Sequence, residues 1–572
     1  MADQADFPDI YIDSSVEAGG VGSEADPYSA FSEINWTTGG DYSIFDYYAG
    51  SPAASVTINL KRGETWATPL LSTSGGGSSL YPLIIQAYGT ITDPNPIIDL
   101  GFDISTASYK WTLSQAGTNE YYLEAAAGGT PGLTNVRQVF IDGARCDLME
   151  GLGTLNDHGF DFGHNAADEA APNSKAVYDT VYIRDDSGDP DVTGVLVEAS
   201  QGNEYALYLR HEYITVQNIT VKRSNGHGVR LSAENITVKD CLMDQCFYGC
   251  GGWSSNCTLD GVEIDNAVGA AIGFSGTVGN EVEGILVTGC TVHDTQLYLS
   301  GGWPEGAGTK LFAIKNCTFT KSTWYNNAGG AIRFDGLNVV APHGGCDYCE
   351  VSYNLLYGNG YQQIELEYSS NNIIKFNYCH SPATDIFSNN GNITLSHTGS
   401  DSNKVFGNIC CDSVGTSNFV NQTNAGAGGA NEFVANISYN GRRGFTIYDN
   451  AAILKNNIVF GSVKSDLIVG VGIVPTSDYN CFAGTGTDLA VYVDGESPTD
   501  KTLAQWQAFS EQDAHSFDGD PLLTNPAGGD FTFQAGSPCI GAGDESLGPP
   551  YNEGIISGAV PDTLLTGDRD DY

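Results

Sequence analysis

Three carboxylates and one guanidinium stand out by type and spacing: Arg333 and Asp335 in Ala331-Ile-Arg-Phe-Asp335, and Glu365 and Glu367 in Gln363-Ile-Glu-Leu-Glu367. In each segment polar residues alternate with apolar ones, the pattern of a strand with one buried face. Ile332, Phe334, Ile364 and Leu366 then point inward, and the four charged side chains share the outer face. Several like charges so close need a cation, a shared proton or the arginine between them. Two chemistries use such a set. A hydrolase needs two carboxyls flanking a glycosidic oxygen, with their separation setting the stereochemical outcome. A lyase must neutralise a uronate carboxylate, remove the α-proton and protonate the leaving oxygen. Arg333 or Ca2+ held by Asp335, Glu365 and Glu367 would neutralise; His397 or Tyr368 would move the proton. A solvated face tied together by a cross-strand ion pair is the plain alternative. Arg230, beside His227, and the aromatic residues Trp324, Tyr361 and Tyr368 are the expected sugar-binding groups, because flat apolar rings stack on pyranoses.

The elements that position these residues are repeats. An apolar residue, any residue, Asn, Gly or Asp, then Cys or Ile recurs at Val216-Gln-Asn218-Ile219, Val238-Lys-Asp240-Cys241, Val287-Thr-Gly289-Cys290, Ile314-Lys-Asn316-Cys317, Phe406-Gly-Asn408-Ile409 and Val434-Ala-Asn436-Ile437. Neighbouring copies are separated by one solenoid coil. The expected fold is therefore all-β, a right-handed parallel β-helix with capped ends, its coils about 4.8 Å apart. Residues 1–200 are expected to form the N-terminal cap and first coils, 201–485 the main helix, and 486–572 the C-terminal cap. Stacking aligns Asn on Asn and Cys on Cys, so Asn218, Asn235, Asn256, Asn316 and Asn436 read as inward ladder residues although they lie in N-x-S/T sequons. Of the adjacent Cys410 and Cys411, at most one belongs in the core.

At the two ends, Tyr11-Ile-Asp13-Ser, Leu60-Lys-Arg-Gly-Glu-Thr-Trp66, Gln86-Ala-Tyr-Gly89 with Pro96-Ile-Ile-Asp99, and the tail Gly519-Asp-Pro-Leu-Leu523 resemble segments of extracellular right-handed β-helix proteins, including relatives of the chondroitinase B and alginate lyase family. That resemblance implies polysaccharide β-elimination, with Glu365 and Glu367 holding Ca2+ against the substrate carboxylate. It also implies a Lys and an Arg on later coils, and those positions fall near Ser369 or Ser370 and near Ser396. The same fold carries hydrolases, epimerases and non-catalytic adhesins.

Composition narrows the partners. Lys plus Arg number 24 against 69 Asp plus Glu, a formal charge of −45, which repels phosphate backbones and anionic membranes, so nucleic acid is excluded as a partner. No apolar run is long enough to cross a membrane, and Met1 to Ile10 lacks the pattern of a signal peptide. The 14 cysteines read as reduced core residues, because a long solenoid needs no disulfide framework. The expectation is an extracellular or virion-associated polysaccharide-binding chain, monomer or homotrimer. It is a lyase by resemblance, with a hydrolase or a non-catalytic tailspike as alternatives.

Overall fold

A computed structural model describes residues 9–547 except 38, 40–42, 51, 53, 72–75, 106–108, 114–118, 125–135, 149–158, 163–179, 201–204, 297–298, 301–302, 305, 337–344, 381–390, 414, 416, 423–428, 486–490 and 495–499. The chain forms two compact units, one of Met1–Gly252, Val262–Gly269 and Tyr298–Trp303, the other of Trp253–Gly261, Ala270–Leu297 and Pro304–Tyr572.

In the first unit three parallel ladders rise together. One holds Ile10–Ile12, Thr57–Lys61, Leu83–Tyr88, Ile214–Gln217 and Thr237–Lys239, and another ends in His227–Leu231 and Tyr248–Gly252. Between Asp99 and Leu207 the parallel winding is interrupted by antiparallel strands, Glu120–Glu124 with Thr180–Arg184 and Gln138–Ile141 with Val197–Ser200. These strands bury a core of their own around Trp111, Tyr121, Val139 and Ile183.

The second unit repeats one coil many times. A strand of the first ladder, such as Glu350–Ser352, leads through a corner to the second ladder, Leu355–Tyr357, and then to the third, Ile364–Glu367. Each strand pairs in register with its counterpart on the next coil, as Glu350–Ser352 does with Ile373–Lys375.

The corners explain the sequence repeat. At each one a residue in the left-handed region, such as Lys321 (φ 53°), Tyr353 (φ 55°) or Phe376 (φ 54°), is followed by a residue turned inward. In the later coils the inward residue between the first and second ladders is always asparagine. The Nδ2 of Asn354, Asn377 and Asn408 donates to the Oδ1 of Asn377, Asn408 and Asn436 at 3.0 Å each. The run continues through Asn457 to Asn480 at 3.1 Å. Every member also satisfies backbone groups that a corner leaves unpaired, such as Ile374 C=O, reached by Asn408 Nδ2 at 2.9 Å.

Of the five asparagines expected inward, only Asn436 is in this ladder. Asn218, Asn235, Asn256 and Asn316 have φ of 58°, 59°, 56° and 54° and occupy left-handed corner positions, Asn218 one residue before the inward position of this corner and the other three at the corner that leads into the first ladder. Both positions favour asparagine, one because its side chain tolerates the left-handed region and the other because a buried amide both donates and accepts. The sequence pattern therefore merged left-handed and inward positions drawn from two different corners of the coil.

All 14 cysteines are buried, and no disulfide joins any of them. Cys410 and Cys411 are both buried, contrary to expectation, because the C-terminal segment covers the outer side of the second ladder. There Cys411, Ile437 and Ile458 pack against Leu523, Phe531 and Cys539. Removing each large apolar side chain of such a seam from water is worth about 1.5–3 kcal/mol.

Candidate functional site

The third ladder of the second unit builds the site. Ile332, Phe334, Ile364, Leu366, Ile393 and Leu395 are fully buried, fixing three successive strands by their inner faces. Register places Arg333 beside Glu365, Glu365 beside Thr394, and Glu367 beside Ser396. The outward cluster read from the sequence is therefore assembled as expected.

Arg333 lies among the carboxylates. Its Nη2 donates to Glu367 Oε2 at 2.9 Å and stands 3.8 Å from Asp335 Oδ2. Its Nε is 3.2 Å from Glu365 Oε2, an ion pair without a hydrogen bond. The sequence reading missed Lys310, whose Nζ approaches Asp335 Oδ2 at 3.7 Å from the preceding coil. Its outward phase in Thr309-Lys-Leu-Phe312 was the available signal, since the chain has only 24 basic residues. On the open side His397 Nε2 pairs with Glu367 Oε1 at 3.0 Å, and its ring stacks on Tyr368 with centroids 4.7 Å apart. Ser396 Oγ donates to Glu365 Oε1 at 3.3 Å.

This environment drives neighbouring carboxyls apart. Burial pushes Asp335 up to about 7 against the pull of Arg333, and the adjacent Glu367 charge adds to the rise. Burial also raises Glu365. Glu367 is buried too, yet the hydrogen bond from His397 and the Arg333 charge hold it down to about 2. The same hydrogen bond to Glu367 raises His397, and the three carboxylates outweigh burial to raise Arg333. Near neutral pH the cluster thus offers one carboxyl that readily takes up a proton, hydrogen-bonded to one that is firmly ionised.

The remaining expected groups divide. Tyr361 is largely buried and close enough to feel the Arg333 charge. Trp324 is fully buried in the solenoid core, because its position in Thr323–Tyr325 faces inward, so it cannot stack on a glycan. Arg230 belongs to the first unit, where it is 5% exposed and its Nη1 lies 3.2 Å from His227 Nε2; burial drives the His227 imidazole down to about 3.

Ca2+ does not fit this arrangement. The Arg333 guanidinium fills the space between Asp335, Glu365 and Glu367, and among the described residues these three do not bring ligand oxygens within 4.8 Å of one another.

A family described as right handed beta helix region matches residues 179–341. Among solved structures, XylC in complex with xylose resembles the chain with a TM-score of 0.54 at 11% identity, covering 90% of this chain and 87% of that one. A glycoside hydrolase matches with a TM-score of 0.42 at 10% identity over 84% and 97% of the two chains. A mannuronic acid specific polysaccharide family 6 lyase from human gut microbiota matches with 0.39 at 9% identity over 81% and 82%. None of the curated proteins compared matches the sequence. Among the described residues no helix is long and apolar enough to cross a membrane. The stacked parallel ladders, the family match and the likeness to XylC agree on one fold: the chain is a right-handed parallel β-helix protein.

Proposed function

We propose that the chain cleaves glycosidic bonds of a polysaccharide lying across the third ladder, with Asp335 as the proton donor and Glu367 as the ionised partner. The observation carrying this reading is the opposite displacement of the two carboxyls, Asp335 up to about 7 and Glu367 down to about 2. Acid-assisted glycoside hydrolysis needs one protonated and one ionised carboxyl about 5–9.5 Å apart; Asp335 and Glu367 share a hydrogen bond in the free chain, so substrate must part them to admit the glycosidic oxygen. Asp335 protonates the departing glycosidic oxygen, and Glu367 serves as nucleophile or base. Arg333 holds both oxygens in place, and Tyr361 and Tyr368 border the sugar.

Charge favours a neutral glycan over a uronate. Arg333, the cation a uronate would need, is already engaged by three carboxylates, and Lys310 also faces Asp335. Ser396, where the lyase resemblance implies arginine, stands beside Glu367. The His397 and Tyr368 pair keeps β-elimination as the second reading, because it puts an acid and a base candidate next to Glu367. Either reaction fits an extracellular or virion-borne protein.

The test is an assay of the purified chain on neutral and uronate polysaccharides, with Ca2+ and with chelator, following reducing ends and the ultraviolet absorbance of unsaturated uronyl products. New reducing ends without that absorbance are expected, insensitive to chelator and reduced roughly 10²–10⁴-fold in Asp335→Asn and Glu367→Gln. Unsaturated products lost in the same variants would replace hydrolysis by elimination. Silence on every glycan would leave the ladder as a binding surface.

A further inference from the structure

Thiols of the second unit meet in pairs. Cys317 lies close enough to Cys349 to share a hydrogen bond, as Cys379 does to Cys410 and Cys481 to Cys539. Geometry separates these pairs. Cys379 and Cys410 are register partners on successive parallel strands, and Cys317 and Cys349 immediately precede the register partners Thr318 and Glu350. Residues so placed hold their Cβ atoms one strand spacing apart, about 4.8 Å, with parallel Cα–Cβ bonds. A disulfide needs about 3.5–4.5 Å between Cβ atoms, so bridging successive coils would pull the ladder out of register. Those contacts are core packing.

Cys481 and Cys539 are not ladder neighbours. Cys481 opens Cys481–Ala483, the last strand of the second ladder, and its Sγ lies 3.2 Å from Gly519 C=O in the C-terminal segment. Cys539 arrives beyond the hairpin of Leu523–Asn525 and Asp530–Phe533, on a turn where its N–H donates to Ser537 Oγ at 3.2 Å. Ser537 Oγ in turn donates to Pro521 C=O, which fixes the turn against the start of the hairpin. Both thiols belong to the seam by which this hairpin covers Cys411, Ile437 and Ile458. A bond between them would close a loop of roughly 60 residues, restraining the undocked hairpin far more than the docked one. The Cys481 thiol and the Ser537 hydroxyl also hold the Cys539 thiol below its usual value, so it is the first of the two to ionise.

We propose that Cys481 and Cys539 form a disulfide when the chain meets a low-molecular-weight disulfide such as glutathione disulfide, locking the C-terminal hairpin onto the last coil. The exchange runs while the hairpin is undocked and the thiols are accessible. Cys539 gives up its proton and attacks one sulfur of the reagent, expelling a glutathione thiolate that takes up a proton. Cys481 then loses its proton and attacks the Cys539 sulfur, expelling the second glutathione. Two protein thiols are oxidised to one disulfide, and the reagent is reduced to two thiols. The lock does not depend on the reaction proposed for the Arg333 cluster.

The test starts from the purified, fully reduced chain, incubated with glutathione disulfide and reduced glutathione in urea below the global unfolding transition, so that the hairpin opens locally. Remaining thiols are then alkylated in strong denaturant and mapped by mass spectrometry. Two fewer than the 14 cysteines should be alkylated, with Cys481 and Cys539 in one cross-linked peptide that reductant splits. Thermolysin should cleave the C-terminal segment of the oxidised chain at least about tenfold more slowly than that of the reduced chain, and Cys481→Ser should abolish the difference. The peptide map of the unaltered chain carries the test if Cys481→Ser does not fold. Alkylation of every cysteine after oxidation would overturn the proposal, as would a bridge joining Cys379 to Cys410 or Cys317 to Cys349 instead. A Cys481–Cys539 bond that leaves cleavage of the segment unchanged would refute the lock.

Discussion

Replacing Arg333 by methionine removes the cation shared by Asp335, Glu365 and Glu367 while keeping a side chain of similar length. Taking one partner from a largely buried ion cluster costs about 3–5 kcal/mol where the carboxylates stay charged. The loss should depend on pH. In the unaltered chain Glu367, held at about 2, stays ionised through the neutral range, whereas Asp335 titrates at about 7. Without the guanidinium all three carboxyls rise, Asp335 and Glu365 further above their unfolded values, while His397 still draws Glu367 down. An acid raised in this way binds more protons when folded, so stability falls as pH climbs from the unfolded to the folded value. If one additional carboxyl keeps its proton over about two pH units, the deficit of the variant widens by about 3 kcal/mol, at about 1.4 kcal/mol per unit. Calorimetric melting of Arg333→Met at about pH 5 and about pH 8 should show a deficit several degrees larger at the higher pH. Lys321→Met, at an exposed corner, should show little deficit at either pH. An Arg333→Met deficit equal at both pH values would refute the reasoning, because the carboxylates would not then be sharing that one cation.

Asn408→Ala should destabilise by roughly 3–5 kcal/mol in urea unfolding, because it strands Asn377 N–H, Ile374 C=O and the amides of both ladder neighbours; a loss below about 1 kcal/mol would show that the ladder is dispensable. Thiol titration under native conditions should label almost none of the cysteines, and all 14 after denaturation, whereas rapid native labelling would contradict their burial. Gly289→Val, at φ 62°, should cost at least about 1–2 kcal/mol, since a β-branched residue resists the left-handed region; an unchanged melting temperature would count against that corner geometry. His397→Ala removes a hydrogen bond that holds Glu367 low, so any acid limb of activity governed by Glu367 should move to higher pH, and an unmoved limb would exclude that coupling.

The amino-acid sequence by itself determined the solenoid and the outward cluster. Alternation within Ile332–Phe334 and Ile364–Glu367 assigns inner and outer faces without reference to the rest of the chain, and in-register stacking then brings Arg333 beside Glu365. It could not separate the asparagine positions, because left-handed and inward positions at two different corners favour the same residue in coils of varying length. Nor could alternation show that the outward Cys411 was covered, since that depends on a hairpin more than a hundred residues later in the chain. The divergence of Asp335 and Glu367 also required the tertiary structure. Proton affinity depends on desolvation and on charges delivered from neighbouring coils, such as His397 against Glu367 and Lys310 against Asp335, and those distances are fixed only when the coils stack.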